Sequence, residues 1–99
     1  MKITIQQGPE TMISLSGQLD TLSAVDFEKE IRKAIDSSPG IIVLDGKDLT
    51  YISSAGLRLL LTLRKGLAEK GGRLKLQNIR EEIMEIFNIT GFSSILDIE

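Results

Sequence analysis

The residues of this chain best placed to do chemistry are two serines, Ser53 and Ser54, followed at once by Ala55 and Gly56. They sit where an apolar, strand-like run hands over to a helical one, in the segment Asp48-Leu49-Thr50-Tyr51-Ile52-Ser53-Ser54-Ala55-Gly56-Leu57. The first backbone N–H groups of a helix have no partner within it, and the helix dipole places partial positive charge there. A serine hydroxyl at that point has two uses. It can cap the helix, the commoner role, which contributes about 1 kcal/mol. It can also accept a phosphoryl group, since the local field favours the added charge and Ala55 and Gly56 leave the Ser54 hydroxyl without a large neighbour. The residues by themselves leave both uses open.

Other chemistry is largely excluded by composition. The 99 residues include no cysteine and no histidine, which removes thiolate and imidazole metal sites, thiol nucleophiles and the commonest general base. No catalytic residue, metal or cofactor is therefore expected, and an enzyme or nucleotide-binding reading is the weakest one, because no glycine-rich loop follows the first strand. Asp45 and Asp48 bracket Gly46-Lys47 without further ligands at useful spacing and read as a solvated turn. Gly71-Gly72 is followed by no Lys-Ser or Lys-Thr and reads as a helix end. Asp20 precedes the first helix, either as a loop residue bonded to its own backbone or as a functional acid. Arg58, Arg64, Lys65, Lys70 and Arg73, against Glu69 alone, form a basic run, read as a solvated face or as a stripe that steers an acidic partner.

The formal net charge is −2, from 12 basic and 14 acidic residues, so no global field draws the chain to nucleic acid. The opening MKITIQQGPE lacks the apolar core of a signal peptide, and no apolar run approaches the roughly 20 residues that span a bilayer. These features predict a cytoplasmic protein of one domain, residues 1–99, without membrane insertion.

The elements that must position the serines follow from periodicity. Lys2–Ile5 and Met12–Leu19 alternate polar and apolar residues around a Gly8-Pro9 turn and predict a strand hairpin. A helix follows, with Ser23 and Asp26 arranged like a capping box or Thr21 as the cap, Val25 as first apolar contact, and Phe27, Ile31 and Ile35 inward beside Ala24 and Ala34. Ser37-Ser38-Pro39-Gly40 ends it. Ile41–Leu44 is a continuous apolar run, as in a parallel strand covered on both faces. Gly56–Lys70 reads as the second helix, with Leu57, Leu60, Leu61, Leu63 and Leu67 in its apolar stripe. Arg73–Gln77 is a strand, and a third helix starts near Asn78 and Glu81 and ends at Gly91. Ile95–Ile98 is a last strand. The order β-β-α-β-α-β-α-β implies an α/β fold with a mixed, mostly parallel sheet and helices packed on it.

Three groups of residues in this order resemble the STAS family, named for sulfate transporters and anti-sigma factor antagonists, and in particular its single-domain antagonists. They are Ser16-Gly17-Gln18-Leu19-Asp20, Asp45 to Leu49 with Ile52-Ser53-Ser54-Ala55-Gly56-Leu57, and the spacing of Ile83, Phe87, Gly91 and Phe92. The resemblance implies a phosphorylation switch. The serine aligned with Ser54 is phosphorylated by a partner that is both anti-sigma factor and serine kinase. The unmodified antagonist binds that partner and frees the sigma factor, and a PP2C-type phosphatase restores the phosphorylated form. Asp20, Ser53, Ser54, Ala55, Gly56 and Arg58 then belong to the partner-binding surface. The chain departs from the family pattern in carrying Ser53 where many members have aspartate, which makes Ser53 an alternative acceptor. It also ends at Glu99, where antagonists often continue into a helix; apolar surface left open there would be buried by a partner or by a second copy in a homodimer. A second reading within the family is an adaptor subunit of a lipid-transporter complex, without phospho-switching.

Overall fold

In the computed structural model the described residues are 1–37 and 40–99, so the expected helix stop at Ser38-Pro39 lies outside them. The chain forms strands β1 (Lys2–Gln6) and β2 (Thr11–Leu19), helix α1 (Thr21–Ser37), strand β3 (Ile41–Ile52), helix α2 (Ser54–Glu69), strand β4 (Arg73–Gln77) and helix α3 (Glu81–Thr90). The strands lie side by side in chain order, with β1 antiparallel to β2 and β2, β3 and β4 parallel. This is the expected mixed α/β fold. Its last strand is reduced: a 3-10 turn at Phe92–Ser94 follows α3, and the segment after it meets β4 in a single parallel bridge, Leu76 to Ile98.

Alternation explains the core. Ile13 and Leu15 of β2, Ile42 and Leu44 of β3 and Leu74 and Leu76 of β4 share one sheet face and are buried. Against them pack Phe27 and Ile31 of α1, Leu57, Leu60, Leu63 and Leu67 of α2, and Ile83 and Phe87 of α3. Val43 is also buried, but on the other face, between its register partners Met12 and Lys75. The expected cover by helices is thus found on one face of β3: Ile42 and Leu44 lie in the helix-packed core, and Val43 on the other face lies outside it, shielded by half-buried neighbours in the sheet.

Three local expectations are corrected. Val25 is 59% exposed, because the inward stripe of α1 runs through Ala24, Phe27, Ile31 and Ala34 instead. Asp45–Asp48 is strand and not turn. Between the pairs Ser14–Asp45 and Ser16–Asp48, two steps on β2 match three on β3, and between Gly17–Leu49 and Gln18–Tyr51 one step matches two. β3 therefore carries two bulges. Asp45 Oδ1 accepts from the Lys47 backbone N–H and from Asn78 Nδ2, which fastens the first bulge to the loop before α3. Asn78 does not cap α3. It has a positive φ of 55°, and the cap position is Arg80, which makes no side-chain cap bond.

Candidate functional site

The site forms where two parallel strands end in step. Leu19, the last residue of β2, is in register with Ile52, the last of β3, and the Ser53 N–H donates to the Leu19 carbonyl at 2.8 Å. Each strand runs directly into a helix, so the N-termini of α1 and α2 stand side by side at the carboxyl end of the parallel strands. This is where open α/β sheets characteristically place their functional groups. Gly56 permits the close approach: a β-carbon there would lie 2.8 Å from Leu19 Cγ and 2.9 Å from Ile52 Cγ1.

The two caps are built differently. At α1 the cap is Asp20, one position before the helix; neither Ser23 nor Thr21 serves. Asp20 Oδ1 accepts the Ser23 N–H at 2.9 Å, and Ser23 Oγ accepts the Asp20 N–H at 2.9 Å. The pairing is reciprocal, a capping box with acid and hydroxyl exchanged. The single Ser23 hydroxyl proton has three acceptors within reach, the Gln18 carbonyl at 2.8 Å, Asp20 Oδ1 at 3.0 Å and the Asp20 carbonyl at 3.4 Å. The Ser23 backbone N–H, and then its hydroxyl, hold the Asp20 carboxyl below the ordinary carboxylate range.

At α2 the cap is Ser53, not Ser54. Ser53 has an extended backbone, its Oγ accepts the Gly56 N–H at 3.2 Å, and its carbonyl accepts the Leu57 N–H at 2.9 Å. Ser54 is the first helical residue. It is exposed, its hydroxyl makes no hydrogen bond among the described residues, and the N–H groups of Ser54 and Ala55 have no backbone partner there. No acidic residue occupies the first turn of α2. The two uses open to a serine at this junction are divided between neighbours: Ser53 caps, and Ser54 presents a free hydroxyl.

The structure gathers the remaining residues unevenly. Ala55 and Arg58 of α2 line an open groove of about 290 Å³ with Leu59 and, across from them, Thr21, Val25 and Glu28 of α1. Of the basic run, Lys70 pairs with Asp36 and Arg73 with Asp97, whereas Arg58, Arg64 and Lys65 have no ion pair among the described residues. Tyr51 is 46% exposed at the end of β3. Sequence reasoning missed Leu22, which is 84% exposed on the first turn of α1, and the outward position of Val25. Their signal is their offset from the Ala24-Phe27-Ile31 stripe. Among the described residues no group of three His, Cys, Asp or Glu could hold a metal ion, and no helix is long and apolar enough to cross a membrane.

The family model for the STAS domain matches residues 1–99. The chain belongs to the STAS family. It is 35% identical over 99 residues to BtrV of Bordetella bronchiseptica, named a candidate anti-sigma factor antagonist, with 99% of this chain and 85% of that protein covered. It is 34% identical over 94 residues to the anti-sigma-B factor antagonist of Bacillus subtilis, with 94% and 84% covered. The anti-sigma factor antagonist SpoIIAA in its unphosphorylated form superimposes with a TM-score of 0.76 at 20% identity, covering 99% of this STAS domain and 87% of that chain. SpoIIAA in its phosphorylated form gives 0.76 at 21%, covering 99% and 91%. At such identities the likeness to SpoIIAA is one of fold.

Proposed function

We propose that this STAS domain is an anti-sigma factor antagonist whose binding is switched by phosphorylation of Ser54. The observation that carries the reading is the exposed Ser54 hydroxyl on the first turn of α2, without a hydrogen bond among the described residues and beside a neighbour that has taken over the capping. Relatives named as antagonists of anti-sigma factors supply the class of partner. The unmodified domain binds an anti-sigma factor that is also a serine kinase. The interface covers the ends of β2 and β3 and the first turns of α1 and α2, including Asp20, Ser53–Gly56 and Arg58, with Leu22 and Val25 as its apolar contribution.

The chemistry belongs to the partner. Its bound nucleoside triphosphate gives up the γ-phosphoryl group: the bond from Ser54 Oγ to phosphorus forms, the bond to the β–γ bridging oxygen breaks, the diphosphate leaves, and the hydroxyl proton passes to the kinase. Asp20 is not a base for this step, since its carboxylate is held as a cap and its proton affinity is lowered. The phosphate arrives where two unpaired N–H groups and the helix dipole receive it, so the domain keeps its fold. Inside an interface the same charge, close to −2, meets desolvation and repulsion, and a loss of about 3 kcal/mol weakens binding roughly a hundredfold. A PP2C-type phosphatase resets the switch in this scheme.

The test is titration calorimetry of the domain against the anti-sigma factor kinase, with wild type, Ser54→Ala and Ser54→Asp. Binding by wild type and Ser54→Ala with loss in Ser54→Asp is expected, together with a single phosphate that maps to Ser54 after incubation with ATP. Equal binding by Ser54→Asp and no phosphate on Ser54 would overturn the switch and favour an adaptor role for the domain.

A further inference from the structure

Arg58 stands four residues after Ser54 on α2, so the two occupy the same helix face one turn apart, with β-carbons roughly 5–6 Å from one another. Arg58 is exposed, and its guanidinium has no ion pair or hydrogen bond among the described residues; only its backbone carbonyl is engaged, by Thr62 Oγ1 at 3.1 Å. It lines the α1–α2 groove opposite Glu28, whose carboxylate is itself 3.7 Å from Arg32 on its own helix. An uncommitted cation therefore sits between the Ser54 hydroxyl and the apolar groove beside Val25. Guanidinium is the side chain best matched to phosphate oxygens, which it binds through paired N–H donors.

We propose that Arg58 reads the modification state of Ser54 by exchanging partners. With Ser54 unmodified, its guanidinium is free at the groove and takes a carboxylate of the bound protein. With Ser54 phosphorylated, it folds back one turn and pairs with the phosphate in cis. The phosphate thus adds charge to the interface and also withdraws the cation on which the interface depends. This inference rests on Ser54 as the acceptor, and it assigns Arg58 as the positioning residue of the switch.

The experiment uses the full chain with phosphoserine incorporated at position 54 during translation, so that no kinase is needed. Phosphorus NMR then follows the second ionisation of the phosphoserine in wild type, Arg58→Gln and Glu28→Gln. The helix dipole, and the Asp20 carboxylate on the neighbouring helix terminus, are common to all three. Cis pairing lowers this pKa in wild type, so Arg58→Gln raises it by about 0.3 units or more, the shift expected from losing one exposed pair a helical turn away. Glu28→Gln, which removes the competing carboxylate across the groove, lowers it. An unchanged phosphoserine pKa in Arg58→Gln would overturn the inference. Calorimetry with the anti-sigma factor separates this from the wider reading. Unmodified Arg58→Gln is expected to bind about tenfold more weakly, as for a charged interface anchor. Phosphoserine that leaves partner affinity untouched while the NMR shift holds refutes the antagonist switch and not the pairing.

Discussion

Adjacent serines with divided roles should respond unequally to the same truncation. Ser53→Ala removes the acceptor of the Gly56 N–H, a bond of 3.2 Å at a half-buried position, and leaves that donor at the helix start unmatched. Loss of such a cap costs about 1 kcal/mol, within a range of 0.5–2. Ser54→Ala removes an exposed hydroxyl that has no partner and places the best helix former in the first turn, so its effect stays within about 0.5 kcal/mol. The assay is urea unfolding of both variants at equal protein concentration. With a slope of about 1.5 kcal/mol per molar urea for a small domain, Ser53→Ala lowers the midpoint by about 0.7 M and Ser54→Ala leaves it in place. In a thermal scan the same loss is about 4–8 °C. Ser53→Gly is the control, because glycine is tolerated at a cap and costs only a few tenths of a kcal/mol. If Ser54→Ala destabilised as much as Ser53→Ala, the cap would be misassigned and Ser54 would be a structural residue.

Three further outcomes follow from the same geometry. Gly56→Ala and Gly66→Ala make the same change within one helix, yet they should differ in sign. At Gly56 the new methyl meets Leu19 Cγ and Ile52 Cγ1 in the core, an overpacking of about 1–3 kcal/mol that outweighs the propensity gain. At Gly66 it meets only Ile35 Cδ1, the free end of a half-buried side chain, so the helix gains up to about 1 kcal/mol; chemical denaturation reads both. Asp20 has a lowered carboxyl pKa, so its contribution is present above the ordinary carboxylate range and is lost as pH falls through the lowered value. Asp20→Asn keeps a good cap without the titration, so its stability matches wild type at neutral pH and falls less steeply under acid, as followed by circular dichroism. Leu22→Ala, at an 84% exposed position, leaves the unfolding midpoint unchanged but weakens binding to the anti-sigma factor about tenfold in calorimetry.

Periodicity made the element order and much of the core legible, because Ile13 and Leu15, and Leu74 and Leu76, repeat every second residue, Ile41–Leu44 is apolar throughout, and the stripe of α2 repeats every third or fourth residue. What it could not show was phase at the element ends. The cap of α2 falls on Ser53 because β3 carries two extra residues and its end is fixed by the bond from Ser53 to Leu19, a contact between segments far apart in sequence. Two serines in tandem carry no local mark of which is the cap. At α1, Ser23 and Asp26 have capping-box spacing, and the competing Asp20–Ser23 pair has the same spacing with the roles exchanged. Only the entry direction of the chain from β2 decides between them. Val25 faces outward because it stands one position past Ala24, about 100° round the helix from the buried stripe, where its apolar side chain has no partner in the core. The last strand shrank to a bridge because Ile95 and Leu96 donate their backbone N–H groups to the Phe92 carbonyl, closing the turn, and only Asp97 and Glu99 are left to bond Leu76 of β4.

The two caps differ in charge, and that difference sets how each helix terminus would receive a further negative group. Both termini present unpaired N–H groups and a positive dipole end. At α1 that end is already matched by the Asp20 carboxylate, which is fixed by Ser23 and stays ionised through the neutral range. Further negative charge there would meet repulsion. At α2 the cap is a neutral hydroxyl and the first turn contains no acid, so no carboxylate matches the dipole end. Under the proposed switch, a phosphate on Ser54 would stabilise the free domain at the same point where it would oppose the complex. Ser53→Asp tests this directly, since it keeps a capping side chain while filling the vacancy in charge. The variant should be as stable as wild type or more so. Its phosphoserine at position 54 should also ionise at higher pH than in the wild-type background, because the site then holds a carboxylate beforehand. An unchanged phosphoserine pKa in Ser53→Asp would mean that the neutral cap contributes nothing to the electrostatics of the switch.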